Sequence, residues 1–565
     1  MRLAGLGGLF VVALLMRLWG IEQGYPDFYG HVDEIGVAAS VWNYFRAWTL
    51  LPTEFTYPAL YSYTVAAGLW FAHVWGWGPK LDAVAETLTL VSYLDPARSA
   101  LVGRAISAIF SAMVPLVTYR LGRRAYNTQV AWVSAVFVAV AMLPVVQAHQ
   151  ALPDSMMAFC AVLCFYFSWQ LYKEGRWWDY ALAGVAAGLV VASKFNGSLV
   201  ALAIPVAHGM RHGHDMRLAI CFAPKLWLAI ALAFLTLFAG SPYIFFAHDK
   251  YWALASYQFS SLDFALSEKQ PWWWIVRGLV EAEWLLGSLM VGGLLWSLYR
   301  REPADWIFWA AWLPSFLYIG SWTRESLHYL LHFYPFLALG AARLLVAGYE
   351  RFAGGRIYVL YALVLCCALP GFYQIQAYNR QLQEPDLRPQ AAAWIVANLP
   401  DGTRLAMNWL PYCPRVPLTD ARRAIAEYYA GDRQAQKLLQ EIWAEIPAYE
   451  LVNLEVWLKK PFVPEAYRDK VDLSDPETNR VFRRHWLSPR QLRERGVEYI
   501  VLPEAAYGRF VHGEPPVLAE GVAQYHFAKN RAYFSDLIDP DNLSTEEIIR
   551  FESDTGAPIS IYRLR

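Results

Sequence analysis

The chain has 565 residues, of which 57% are hydrophobic and 17% charged, with 26 Trp and 34 Tyr. Its net charge is zero and its pI about 7.2, so it lacks the basic footprint of a nucleic-acid binder. Of its 96 charged side chains (48 acidic, 48 basic), 50 fall in residues 381–565, so the first two thirds read as membrane-embedded and the last third as soluble.

Spanning helices need about 20 apolar residues. In chain order, such stretches lie near 3–20, 98–120, 128–147, 155–172, 179–194, 196–210, 226–246, 276–299, 305–321, 327–348 and 356–378. Arg17 interrupts the first, and no small-x-small cleavage site follows, so an uncleaved first span is expected. Residues 57–77 are also apolar enough to span, but parity decides against it. With that stretch on the outer surface, Arg120, Arg123, Arg124, Lys173, Arg176, Arg211, Arg217, Arg300, Arg301, Arg351 and Arg356 share one side with Arg2. That side is cytoplasmic by the positive-inside rule. The expected fold is a polytopic α-helical membrane protein with about eleven spans. A first outer loop (21–97) would carry two surface helices, near 34–48 and 57–77, and a C-terminal mixed α/β soluble domain would lie outside. The domains are then 1–379 and 380–565.

Several polar groups reach the same outer face in this topology. The first loop carries His31, Asp33, Glu34 and Glu54. Asp33 and Glu34 are adjacent acids just after a hydrophobic span, a costly placement unless they are used or paired. They read equally as caps of the following helix. The third span ends with His149 and Asp154, the fifth and sixth meet at Lys194 and Asn196, and the ninth exits into Arg324, Glu325, His328 and His332. Asp154 after Pro153 also reads as an N-cap, Lys194 as a snorkelling lysine, and the two histidines as core residues. Convergence on one face favours the functional reading. The run Gln270-Pro-Trp-Trp-Trp-Ile275 reads first as an interfacial anchor and second as a sugar platform.

Cysteine usage adds little. Cys160, Cys164, Cys221, Cys366 and Cys367 lie in or beside apolar stretches, only Cys413 is in the soluble part, and no spacing suggests zinc. In the soluble part, Pro389–Asn398 and Ala435–Ile446 read as helices, and Thr403–Asn408, Tyr499–Leu502 and Ile559–Arg563 as strands. It holds no nucleotide fingerprint, hydrolase elbow or metal motif. Its role reads as acceptor recognition, cover for the site, or stabilisation.

Together these residues resemble the GT-C superfamily of polyprenyl-phosphate-dependent glycosyltransferases. The nearest branch is that of the protein O-mannosyltransferases and lipid A aminoarabinose transferases. The markers are Asp33-Glu34, Tyr57-Pro-Ala-Leu-Tyr-Ser-Tyr63, Arg104, Tyr119-Arg-Leu-Gly-Arg-Arg124, Leu152-Pro-Asp154, Ser193-Lys-Phe-Asn196 and Leu330-Leu-His-Phe-Tyr-Pro-Phe336. In the soluble part they are Ala391-Ala-Ala-Trp-Ile-Val-Ala-Asn-Leu-Pro400 and Gly496-Val-Glu-Tyr-Ile-Val-Leu502. Their order and sidedness carry the resemblance more than any one motif.

The resemblance implies an inverting glycosyltransferase that moves a sugar from a polyprenyl-phosphate carrier to an acceptor hydroxyl. Asp33 would be the general base. Glu34 would assist it, cap the helix or hold a cation. Asp154, with His149 and His31, would shape the acceptor or metal side. Lys194, then Arg324 and His328, would bind the donor phosphate. The partners implied are the lipid-linked sugar donor, an acceptor lipid, glycan or protein, and membrane lipids. The site and soluble domain would face outward from a bacterial or archaeal plasma membrane. No cofactor is implied as required. A divalent cation on His31, Asp33, Asp154 and His149 stays open. The chain departs from the aminoarabinose branch at Thr56-Tyr57-Pro58-Ala59, where that branch has an acid-lysine pair. The competing readings are a flippase of lipid-linked sugars, a pyrophosphate-carrier oligosaccharyl transferase or ligase, and a glycan sensor. Charges gathered at the outer mouth, not the midplane, weigh against the flippase.

Overall fold

The computed structural model describes residues 2–27, 29–76, 91–92, 95–213, 222–254, 272–322, 325–352, 356–408, 412–468, 471–474, 476–514, 522–553 and 556–565. Among these, Arg98–Ala125, Asp154–Lys173, Trp273–Arg300, Leu327–Phe352 and Ile357–Gln381 are long and apolar enough to cross a membrane. Thr128–Val140 and Met142–Ala148 make a sixth crossing if taken together, bent by 51° at the break between them. Ala4–Leu18, Trp177–Ser193 and Pro224–Gly240 are shorter apolar helices. The expectation of about eleven spans therefore outruns the five or six that meet the length and composition requirement. At 196–210, for instance, the chain forms a 3-10 stretch, Phe195–Leu202, that runs into the short helix Ala203–His212.

Several of these helices turn apolar side chains outward. Only 17% of the apolar window of Ile357–Gln381 is buried, and Tyr358, Tyr361, Leu365 and Tyr373 stand exposed on it. A helix that is apolar on its open face suits lipid, not water. Inside the bundle, small residues allow close approach. A Cβ on Gly293 would lie 2.2 Å from the Gly340 carbonyl carbon.

The first loop forms the helices Glu34–Arg46 and Leu60–Val74. The second has 15 residues, about 22 Å at 1.5 Å per residue, short of the roughly 30 Å hydrocarbon core.

The break at Ala141 is capped by charge from two other helices. Arg17 donates to the carbonyls of Val138 (3.3 Å) and Ala139 (3.1 Å), at the C-terminal end of the first segment. Glu283 accepts from the N–H groups of Met142 (2.9 Å) and Leu143 (3.0 Å), at the N-terminal end of the second. A cation at a helix C-terminus and an anion at an N-terminus both complement the helix dipole. They also satisfy backbone groups that lipid cannot.

Beyond residue 386 the chain is mixed α/β. A five-stranded sheet has the order β2-β1-β5-β7-β6, with β1 Arg404–Met407, β2 Glu450–Asn453, β5 Tyr499–Pro503, β6 Thr545–Phe551 and β7 Ile559–Leu564. β1 pairs in parallel with β2 and β5, whereas β5–β7 and β6–β7 are antiparallel. β3 (Glu455–Trp457) and β4 (Arg484–Trp486) form a separate antiparallel pair. Helices cover both faces of the sheet's buried centre, among them Leu387–Asn398 against Leu405, Val501 and Ile561. This part touches the first loop through Arg415, which donates to the Pro26 carbonyl (3.1 Å).

Candidate active site

The site is built around one buried arginine. Arg104, near the start of Arg98–Ala125, donates Nε to Glu34 Oε1 (2.8 Å) and Nη2 to Glu34 Oε2 (2.7 Å). Its Nη1 donates to the carbonyls of Ile21 (2.9 Å) and Gln23 (2.6 Å). Both side chains are buried. Glu34 Oε1 also accepts from Ala151 N–H (2.8 Å), and Oε2 from His31 N–H (3.2 Å). Burial pulls the Glu34 pKa upward, but Arg104 and the two backbone donors outweigh it and hold the carboxyl below its usual value.

Two glycines make this junction possible by close approach. A Cβ on Gly103 would meet the Ala151 Cβ at 2.7 Å, and one on Gly30 would meet Arg104 Nη2 at 2.8 Å. The first loop, the Arg98–Ala125 helix and the 149–154 turn are thereby locked together.

Asp33 has the opposite environment from its neighbour. It is exposed, and its Oδ2 accepts one hydrogen bond, from Tyr57 Oη at 3.1 Å. Its backbone N–H lies 3.1 Å from His31 Nδ1. Asp33 occupies the N-cap position of Glu34–Arg46 without a side-chain cap bond. Burial and then the Asp33 charge push the Tyr57 hydroxyl well above its usual pKa, so it stays a neutral donor.

The Tyr57 ring connects Asp33 to a second ion pair. Lys194 Nζ lies 5.1 Å from that ring and 5.8 Å from the Tyr329 ring. The same ammonium donates to Asp154 Oδ1 and Oδ2, both at 2.8 Å, with both residues buried. Lys194 follows Trp177–Ser193, where the chain leaves the α-helix with φ −157°, and Asp154 opens Asp154–Lys173. Asn196 Nδ2 bonds the Tyr329 carbonyl (3.0 Å) and fastens the 327–333 stretch alongside.

The structure brings Asp33, Glu34, His31, Asp154 and Lys194 to one end of the bundle. It does not assemble the metal side drawn from His149, His31 and Asp154. The His149 ring nitrogens face the carbonyls of Val145 (2.8 Å) and Trp19 (3.0 Å), which fixes the histidine as a helix-end clasp. Among the described residues, no group of three or more His, Cys, Asp or Glu side chains could hold a metal ion. The residues present do not fit a resident cation. His328 Nδ1 is 2.6 Å from Ser326 Oγ. Arg324 lies outside the described residues, as do Gln270 and Pro271 of the tryptophan run. Within that run, Trp274 is buried while Trp272 and Trp273 are exposed.

Residue-by-residue reading did not assign Tyr57 a place beside Asp33, nor Arg104 as the partner of Glu34. Both stood in quoted motifs, so the only signal was a lone arginine entering an apolar span and a Tyr before Pro58.

Residues 87–244, a little over a quarter of the chain, match the family model described as dolichyl-phosphate-mannose-protein mannosyltransferase. The likeness to GT-C glycosyltransferases is shown over that segment. It is a likeness to transferase enzymes, and the segment holds Arg104, Asp154 and Lys194. No curated protein matches the chain. Solved structures also match the chain, two of them as follows. The archaeal oligosaccharyltransferase AglB from Archaeoglobus fulgidus, in complex with an inhibitory peptide and a dolichol-phosphate, has 11% identity and a TM-score of 0.48, over 91% of this chain and 72% of that one. ArnT from Cupriavidus metallidurans bound to undecaprenyl phosphate has 11% identity and a TM-score of 0.47, over 99% of this chain and 98% of that one.

Proposed function

We propose that the protein is an inverting glycosyltransferase that takes a sugar from a polyprenyl-phosphate carrier and transfers it to an acceptor hydroxyl, with Asp33 as general base. The observation that carries this reading is the contrast between adjacent acids. Glu34 is consumed by Arg104 and two backbone donors, whereas Asp33 stands exposed with one tyrosine donor. A base must be able to reach the proton it takes. Asp33 would accept that proton as the acceptor oxygen forms its bond to the anomeric carbon and the carrier phosphate departs with the bonding pair.

Lys194 is the proposed binding group for the phosphate of the sugar donor. An ammonium has three N–H groups, and the two Asp154 oxygens engage it from one side. A further N–H remains for a phosphate oxygen. Asp154 then fixes the lysine in place and offsets its charge when no donor is bound.

The topology proposed has about eleven crossings, counting the short and broken apolar helices, with the site and the α/β part on the outer side of a bacterial or archaeal plasma membrane. The partners are a lipid-linked sugar and an acceptor lipid, glycan or protein.

The test is sugar transfer by the purified protein in detergent, with a panel of radiolabelled polyprenyl-phosphate sugars and membrane extract as acceptor source. Asp33→Asn should abolish transfer while donor binding survives. Full transfer by that variant would move the base elsewhere. Donor binding without transfer by the wild type would favour transport or sensing.

A further inference from the structure

The 327–333 stretch holds a histidine that the site described above does not use. His332 is fully buried, and neither Nδ1 nor Nε2 of its ring has a hydrogen-bond partner among the described residues. A neutral imidazole carries one N–H donor and one acceptor nitrogen. Leaving such a group unpaired in the interior costs free energy, and native proteins keep few of them without a use.

The place of this ring follows from the local helix. Leu327–Phe333 is a 3-10 helix with three residues per turn, so side chains at i and i+3 lie one above the other. Tyr329 and His332 therefore share one edge, and the Tyr329 ring lies 5.8 Å from Lys194 Nζ. Asn196 Nδ2, two residues after Lys194, donates to the Tyr329 carbonyl (3.0 Å) and holds that edge against the Lys194 segment. Asp154 and Lys194 both act electrostatically on the His332 ring. Phe333 turns another way, with its ring 5.1 Å from that of Trp312 and 6.0 Å from that of Phe308.

The same geometry sets His328 apart. It stands four residues before His332, about 120° away around a three-residue turn, so the two rings do not share an edge. Its Nδ1 is already engaged with Ser326 Oγ at 2.6 Å.

The chemistry proposed for Lys194 leaves room for a second donor. A sugar-linked carrier phosphate is a diester with one negative charge, and it acquires a second as it departs with the bonding pair. Asp154 already offsets the Lys194 ammonium, so the pair adds no net positive charge. Such a step is helped by donors aimed at the atom where charge develops.

We infer that His332 is a phosphate-binding residue of this site, its N–H held in reserve for the carrier phosphate and satisfied when that phosphate lies on Lys194. The inference rests on the glycosyl-transfer reading, and it gives His332 the role that the sequence suggested for His328.

The experiment is binding of undecaprenyl phosphate to the purified full-length protein in detergent, with undecaprenol as the phosphate-free control. The wild type should prefer the phosphate by at least about ten-fold. His332→Phe keeps a ring and removes the N–H. It should lose about ten-fold in affinity for undecaprenyl phosphate and keep its affinity for undecaprenol. Without ligand it should melt no lower than the wild type, since the unpaired polar atoms are gone. His332→Asn keeps an N–H donor and should recover part of the loss. Wild-type affinity for the phosphate in His332→Phe would mean that the histidine only fills the core, and would overturn the inference. If the phenyl ring lowers the melting temperature, His332→Met is compared with His332→Asn, and equal affinity in those two would overturn it. So would a larger loss in His328→Phe than in His332→Phe. Lys194→Met weakening the binding while His332→Phe does not would overturn the inference alone and leave the Lys194 reading standing. A wild type that binds undecaprenol as tightly as its phosphate would overturn both.

Discussion

At the scale of single residues, the adjacent acids Asp33 and Glu34 make separable predictions. Tyr57→Phe removes the one side-chain hydrogen bond to the Asp33 carboxylate among the described residues and should slow transfer by about five-fold, roughly the 1 kcal/mol of one such bond, with the fold intact. Glu34→Ala should behave differently. It strands Arg104 in a buried site, and losing one partner of a buried pair costs about 3–5 kcal/mol. Thermal melting should register that loss, whereas Asp33→Asn should melt like the wild type. His526 supplies a pH test. Its folded pKa of about 3 lies below the ordinary 6.5, so its stabilising contribution is full above 6.5 and is lost as pH falls toward 3. At pH 5 the loss is about 2 kcal/mol, at 1.36 kcal/mol per unit. The melting temperature should therefore fall between pH 7 and pH 5, and His526→Gln should flatten that slope.

At the scale of elements, the broken span matters most, because its second segment leads into the turn that carries Ala151 and Asp154. Glu283→Ala leaves the Met142 and Leu143 N–H groups without their acceptor. Each buried unpaired donor costs about 1–3 kcal/mol. The variant should melt earlier and transfer more slowly, with Glu283→Gln between it and the wild type, because one amide oxygen can still accept. Activity and melting of the three proteins in one detergent would check this order. The apolar stretches, the two helices of the first loop and five of the soluble elements were legible in the sequence from period and length. The break had a signal too. Pro144 lacks an N–H and crowds the carbonyl four residues back, at Val140. Its caps had none, since Arg17 and Glu283 come from distant helices. The site divides in the same way. Asp33, Glu34, Asp154 and Lys194 stood out as charges at apolar boundaries. That Glu34 belongs to Arg104, 70 residues on, and Lys194 to Asp154, 40 residues back, is tertiary information. His149 misled for that reason, because carbonyl partners at Trp19 and Val145 leave no trace in a motif.

At the scale of the whole molecule, the proposed sidedness turns on one helix of the first loop. Leu60–Val74 has 15 residues, and its Ser62 and Tyr61 hydroxyls are spent on bonds to Ala59, Gly103 and Tyr44 inside the protein. If it stays on the surface, the chain from Arg98 onward starts outside, and Arg120, Arg123 and Arg124 arrive inside. If it crossed, every later loop would invert, and the arginine-rich ends would face outward against the positive-inside rule. Two exposed positions distinguish these arrangements: Arg123, at the basic end of Arg98–Ala125, and Leu543, 85% exposed in the turn before β6. In a background whose native cysteines are replaced, Leu543→Cys should react with a membrane-impermeant maleimide on intact spheroplasts. Arg123→Cys should react only after the membrane is opened. The reverse pattern would place Asp33, Lys194 and the α/β part on the cytoplasmic side, where the proposed carrier chemistry would need a donor in the inner leaflet. Reaction at both positions in sealed spheroplasts would mean that the crossing count between them is even, one more or one fewer than proposed.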